Sequence, residues 1–264
     1  LYFHEDFKVD SFKLYQASQL NHLLTQEYTY LPLYKRLDKI KRVLQQQVKS
    51  HKDVMLKKII AHYDVKMEKG LNFKGAEEKR KAYISEVLKR KDLRLNHIKA
   101  EMRTAATRYM KSIKKHDTFT HYKQLFTSPE RLCDYAQGML SETDAADLCT
   151  YSQKIFAKKK YEAEDVGPLL YLHAKLYGIQ PGQKAKNVVI DEAQDYSFLQ
   201  SSALKTALET DMFTLVGDLA QGIHSYRSIT SWQEVAEKIF PRASYKELKK
   251  SYRTTIEIMN EANR

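Results

Sequence analysis

Between Pro32 and Pro129 the chain repeats apolar and polar positions at a helical spacing, with few residues to interrupt it. Leu37, Ile40, Leu44, Val48, Met55, Ile59 and Tyr63 follow one another at loose three- and four-residue intervals. Beyond Gly70 and Gly75, the positions Ile84, Leu88, Leu95, Ile98, Met102, Ala105, Tyr109 and Ile113 keep the interval more strictly. One apolar stripe per helix lets each helix cover the other, so the pattern predicts two long helices around one turn. At about 1.5 Å per residue each would run to about 45 Å, which predicts an antiparallel arm. The alternative is a helix pair folded back on a larger body.

After Thr127 the texture changes to shorter, capped segments. Ser128 followed by Pro129 predicts a helix over 129–140. Ser141 and Thr143 precede a second, to about 158, and a third over 165–177 closes at Gly178. Pro181-Gly182 reads as a loop. The run Asn187, Val188, Val189, Ile190 suits a short buried parallel strand, 197–208 a helix, and 212–216 a second strand. Strand, helix, strand marks an α/β core. Tyr2, Phe3, Phe7 and Val9 read as a strand remnant of the same sheet. Three parts follow: a lead-in over 1–32, a helical arm over 33–125, and a helical segment with an α/β core over 126–264.

Charge changes what the arm means. The 264 residues carry a formal net charge of +12, and residues 31–120 hold 25 Lys and Arg against 10 Asp and Glu. The remaining 174 residues hold 20 against 23, so all the basicity sits in the arm. A positive field on one element suits a polyanionic partner, nucleic acid or an acidic protein surface, although a solvated lysine-rich face would show the same composition. With 30% charged residues and mean hydropathy −0.60, no apolar run reaches membrane-spanning length, and no membrane partner is expected. Cys133 and Cys149 lack metal-ligand spacing and the nine histidines form no cluster, so a reducing cytoplasm suits the chain and no zinc site is expected. No secretory leader is read at the first residues.

The strongest chemical signal is VVIDEAQD, residues 188–195. Two adjacent carboxylates leave the C-terminal end of a buried strand, where α/β sheets place their ligand sites. Asp191 can hold Mg²⁺, directly or through water, and Glu192 can orient and deprotonate the water that attacks a γ-phosphate. The competing reading is that the pair merely caps the following helix. The next strand ends in Gly217-Asp218-Leu219-Ala220-Gln221-Gly222-Ile223-His224. Its glycine permits close backbone approach, and Gln221 can both donate and accept, as a sensor between phosphate and a moving partner would. In LKKSYRTT, residues 248–255, Tyr252 offers a flat face for a base and Arg253 a fork for a phosphate oxygen.

In this order and spacing the three segments resemble motifs II, III and IV of the UvrD/Rep-like superfamily 1 helicases. The resemblance covers about residues 160–264. It implies an α/β fold built on a partial P-loop NTPase (RecA-like) parallel sheet, with the arm as a long, mainly helical insertion. It also implies ATP and Mg²⁺ as cofactors. Carried over, the roles fall on Asp191 for the metal, Glu192 for hydrolysis, Gln221 for coupling nucleotide state to DNA, and Arg253 for the γ-phosphate. Gln194 matches the glutamine of Asp-Glu-x-Gln at the nucleotide, and Tyr252 the aromatic that stacks on adenine.

Two departures qualify the match. Gly222 and His224 stand where the family commonly has Ser and Tyr, which leaves the DNA contacts of that tyrosine unassigned. Tyr226 and Trp232 lie close by, for stacking or for packing under the loop. The chain also holds no GxxxxGK[ST] loop, since none of its eight glycines precedes Lys-Ser or Lys-Thr. The expectation is a motor fragment that does not hydrolyse ATP alone.

Glu164 to Gly178, EDVGPLLYLHAKLYG, resembles the helix before motif II in HelD-type helicases, which bind bacterial RNA polymerase and carry an insertion that enters its main channel. That resemblance implies RNA polymerase core as the arm's partner. A helicase IV-like or UvrD-like motor, with single-stranded DNA as partner, is the alternative. A monomer is expected in either case. Tyr63, Phe73, Tyr83 and Tyr109 are sparse along the arm, which weakens base stacking there.

Overall fold

In the computed structural model, which describes residues 1–72, 76–222, 229–248, 258, 260 and 261, the two apolar stripes do face one another. The chain divides into two compact units, 1–149 with 175–178 and 150–174 with 179–264.

The first unit opens with a hairpin, β1 (Phe7–Val9) against β2 (Phe12–Tyr15), antiparallel with Val9 opposite Phe12 and an irregularity after Phe7. Asp10 makes the tight turn in the left-handed region, φ 55°, which Asp tolerates better than most residues. The expected strand remnant is therefore a separate sheet. Its outward-facing Lys8 and Lys13 and fully buried Phe7 and Val9 are the alternation of a hairpin with one covered face. A short helix α1 (Ala17–His22) and a π-helical turn (Leu23–Glu27) lead into the arm.

The arm consists of α2 (Leu33–Leu71) and α3 (Glu77–Lys111). Leu37, Ile40, Leu44, Val48, Met55 and Ile59 are buried on α2, and Ile98, Ala105 and Ala106 on α3. Farther along α3 the stripe shifts by one residue from the sequence expectation: Val87 is buried and Leu88 is 45% exposed. Both residues fit a three-four spacing, so only packing against the facing helix chooses between them. Near its base, Tyr109 stacks on Phe3 at 5.8 Å and meets Phe7 edge-on at 5.3 Å, while its hydroxyl donates to the Glu5 carbonyl. Burial pushes its phenol up to about 12. The loop after α3 is held by two tyrosines: the Tyr34 hydroxyl accepts from His116 N–H at 2.9 Å, and Tyr177 donates to the His116 carbonyl at 2.7 Å.

Asp117 caps α4 (Thr118–Lys123), and Ser128 caps α5 (Pro129–Ala136) through Arg131 N–H. α5 ends four residues before the expected 140, because Gln137 turns left-handed at φ 49°. α6 (Glu142–Ala157) and α7 (Ala163–Leu176) follow, and Gly178 closes the latter at φ 74°.

In the second unit, β3 (Val188–Ile190) and β4 (Phe213–Leu215) pair in parallel, connected through α8 (Phe198–Leu208). Val188, Val189 and Ile190 stand opposite Phe213, Thr214 and Leu215. This is a strand-helix-strand unit, but among the described residues the parallel sheet has two strands only. Among the described residues the chain is mainly helical with two small sheets, short of the broader RecA-like sheet expected from the motifs. Neither strand is the fully buried one that its apolar run implied: Val189 is 72% exposed and Val216, just past β4, 51%. Behind β4, Ile229, Val235, Ile239 and Phe240 form a small core with Phe213, Leu215 and Trp232, the last from α9 (Trp232–Lys238). Trp232 is thus a packing residue. No helix of the described residues is long and apolar enough to cross a membrane.

Candidate nucleotide-hydrolysis site

The parallel ladder continues past the strands. Val216 N–H donates to the Ile190 carbonyl at 2.9 Å, and Ala193 N–H to the Val216 carbonyl at 2.9 Å. These bonds hold the segments after β3 and β4 side by side at their C-terminal ends. Asp191 and Glu192 lie on the first of them, both exposed, and Asp218 and Gln221 on the second.

Glu192 adopts a left-handed conformation, φ 49° and ψ 38°, which turns the chain sharply out of the strand into a 3-10 turn over Ala193–Asp195. For a residue with a Cβ that conformation costs about 1–2 kcal/mol. The turn is fixed from several sides. Glu192 N–H donates to Asp191 Oδ1 at 2.9 Å, Gln194 Nε2 donates to Glu192 Oε2 at 2.8 Å, and Asp195 N–H donates to the Glu192 carbonyl at 3.0 Å.

Gln194 joins the two loops. It is 2% exposed, and while its Nε2 holds Glu192, its Oε1 accepts Asp218 N–H at 3.1 Å. Its backbone carbonyl accepts Ile229 N–H at 3.1 Å. A flipped amide would set oxygen against a carboxylate and nitrogen against an N–H donor, so the orientation is determined. Gly217 makes room for it: a Cβ there would collide with Gln194 Oε1 and stand 3.1 Å from the Ala193 and Gln194 nitrogens.

Gln221 lies in the 3-10 turn Leu219–Gln221 and donates through Nε2 to Asp218 Oδ2 at 2.9 Å, while Ala220 N–H donates to Asp218 Oδ1 at 3.0 Å. Those two donors hold the Asp218 carboxyl below the usual carboxylate range. The Gln221 amide is therefore engaged within its own loop. Tyr252, Arg253, His224 and Tyr226 lie outside the described residues, as does Phe73 of the arm.

The capping alternative for Asp191 and Glu192 fails. Ser197 and Gln200 form a reciprocal capping box on α8, Gln200 N–H to Ser197 Oγ at 3.1 Å and Ser197 N–H to Gln200 Oε1 at 2.8 Å. The two acidic residues are not needed for that helix.

The donor set suits Mg²⁺. Each carboxylate is tethered through one oxygen, leaving Asp191 Oδ2 and Glu192 Oε1 without a hydrogen bond from a described residue. Mg²⁺ takes one or two protein carboxylates and fills its octahedron with waters and substrate phosphates. Among the described residues no cluster of three or more His, Cys, Asp or Glu gathers, so such an ion would rest on this pair and on its substrate.

Two contributors escaped the sequence reading. Asp218 serves as the hub of the second loop, a role that no spacing announces. Asp195, the last residue of VVIDEAQD, has Oδ1 buried without a hydrogen-bond partner. A buried acceptor left unmade costs about 1–3 kcal/mol, which marks it as a place where a donor is wanted.

Comparison with protein families gives a match to the UvrD/REP helicase N-terminal domain over residues 10–232. No curated protein and no solved structure matches the chain.

Proposed function

The chain belongs to the UvrD/REP helicase N-terminal domain family, and from that premise we propose that it supplies the metal-holding and water-activating half of an ATP-driven helicase motor. The observation that carries this reading is the Gln194 bridge, which orients the Glu192 carboxylate and ties it to the loop that bears Asp218 and Gln221. Asp191 would hold Mg²⁺, and Mg²⁺ would supply neutralisation of the phosphate charge that builds during hydrolysis. Glu192, with one oxygen fixed by Gln194, presents the other to the attacking water and accepts its proton. Gln221 changes partner from Asp218 when nucleotide arrives, and the loop moves with it. Tyr252 and Arg253 take the base and the γ-phosphate.

Beyond the motor, the reading extends to a HelD-like protein whose arm, residues 33–125, contacts RNA polymerase core and promotes its release from nucleic acid. The EDVGPLLYLHAKLYG segment and a basic two-helix insertion ahead of the carboxylate motif support it. The apolar stripes are spent on one another, so the arm's outer flanks are available to a partner.

The motor is tested by steady-state ATPase assays on a protein that joins this chain to its phosphate loop. Glu192→Gln should abolish turnover and retain nucleotide; undiminished turnover sinks the assignment. The partner is tested by pull-down of RNA polymerase core with and without residues 33–125. Loss of retention without the arm is expected. Unchanged retention, or salt-sensitive capture of single-stranded DNA alone, would favour a DNA translocase.

A further inference from the structure

We propose that the root of the arm carries a proton-sensitive latch, in which protonation of His121 frees the loop between α3 and α4. Three stretches of the first unit close on that loop at His116. Tyr34, in the first turn of α2 and 2% exposed, accepts the His116 N–H at 2.9 Å. Tyr177, just past α7, donates to the His116 carbonyl at 2.7 Å. His121, in α4, sets its Nε2 2.7 Å from the Tyr34 hydroxyl. The two tyrosine rings lie 4.7 Å apart, and the His116 and His121 rings stand perpendicular at 5.7 Å. Because α2 enters the arm and α3 leaves it, the Tyr34 hydroxyl ties the two ends of the arm to each other.

That hydroxyl has a single proton to give. Tyr177 already serves the His116 carbonyl, which stands farther from Tyr34 at 3.1 Å, so the proton goes to His121 Nε2 and the imidazole is neutral. A proton on Nε2 reverses the bond. The ring then donates to an oxygen that already accepts the His116 N–H, and a cation is left half-buried. Burial is the chief cause that holds the His121 imidazole below its usual range, followed by the charge His116 would carry beside it, with a smaller repulsion from the terminal amine. Lys115, over the Tyr34 ring at 5.5 Å, is met by Asp38 of α2 at 3.0 Å. Lys35 of α2 lies against the turn at Gly178, beside Tyr177. Asp117 and a hydrogen bond with Gln124 favour the charged ring. Asp117, however, is committed to capping α4, accepting Thr120 N–H at 2.9 Å and the Thr120 hydroxyl at 2.6 Å. With the folded value depressed, the latch is complete above about 6.5 and is lost as pH falls from there through the folded value. The inference goes beyond the motor reading and does not depend on it.

The test is hydrogen–deuterium exchange of the 264-residue chain read by mass spectrometry at about pH 8 and about pH 5.5, corrected for the intrinsic exchange rate. A group whose open form titrates near 6.5 can favour opening at about pH 5.5 by at most about tenfold. A gain in exchange of at least about threefold is expected in peptides covering 112–121, with no comparable gain across 98–106 of α3. His121→Gln keeps an acceptor for Tyr34 and has no proton to gain, so its loop should exchange alike at both pH values. Tyr34→Phe should leave the loop open at both. Equal protection of the parent's loop at the two pH values overturns the proposal, as does a pH response that persists in His121→Gln. A gain shared by 98–106 also overturns it, because acid would then loosen the arm at large. Circular dichroism checks that the variants fold. Should His121→Gln fail to, imidazole titration of the parent by NMR decides, and a His121 that titrates at or above about 6.5 overturns the latch.

Discussion

At the scale of single residues, the candidate site depends on one buried amide that joins its two loops. Gln194 is buried and satisfied at both ends of its amide, so Gln194→Ala leaves the Asp218 N–H without its acceptor and the Glu192 carboxylate without its tether. A destabilisation of about 1–3 kcal/mol is expected, read from denaturant unfolding followed by a second-unit probe such as Trp232 fluorescence. Gly217→Ala should cost a similar amount, about 1–3 kcal/mol, because its methyl group enters the space that Gln194 Oε1 occupies. If both variants unfold like the parent, the bridge does not hold the loops together. In the assembled motor Arg253→Ala should lower turnover by about 10³-fold, the scale of an arginine aimed at a transferring phosphoryl group, with single-turnover hydrolysis as the readout.

At the scale of elements, packing is what the arm adds to periodicity. Ile98 is fully buried, so Ile98→Ala should remove about 2–5 kcal/mol, whereas Leu88→Ala, at a largely exposed position, should stay within about 0.5 kcal/mol. Thermal melts of helical circular dichroism separate the two, and comparable losses would return Leu88 to the stripe. Tyr109 adds a pH dependence at the arm's base. Its folded phenol is raised from the usual 10 to about 12, so its contribution is complete below pH 10 and is lost as pH rises through 12. Tyr109→Phe should flatten that part of the stability profile; an identical alkaline decline in both proteins would assign the effect to other groups.

These comparisons also mark how far the sequence was legible. The two long helices, the strand-helix-strand order and the capped start at Ser128 follow from local spacing and local hydrogen bonds, which a sequence displays directly, whereas the cap that Ser197 provides for α8 is not read from it. The choice of Val87 over Leu88, and the pairing of Phe7–Val9 with Phe12–Tyr15, depend on partners that only the fold brings near. The site divides in the same way. Asp191 and Glu192 announce themselves as adjacent carboxylates behind a hydrophobic run, while the engagement of Gln221 by Asp218 and the double role of Gln194 are set by atoms on different loops.

At the scale of the whole molecule, the absence of GxxxxGK[ST] from the sequence leads to a direct expectation: the chain alone shows no ATP turnover above background in a phosphate-release assay. Turnover that vanishes on Glu192→Gln would contradict it. The concentration of basic residues in 31–120 leads to a second expectation: any nucleic acid that co-purifies with the chain is held by that segment's charge, and a high-salt wash should remove it.

The narrow parallel sheet has a practical corollary. With Val189 72% exposed, and with β3 and β4 paired only to each other among the described residues, the described part of the second unit displays apolar surface beside strand edges that no described strand covers. Self-association through that surface is expected to rise with protein concentration. Turbidity should climb on concentrating the sample, and Val189→Lys should delay it without moving the melting curve of the arm.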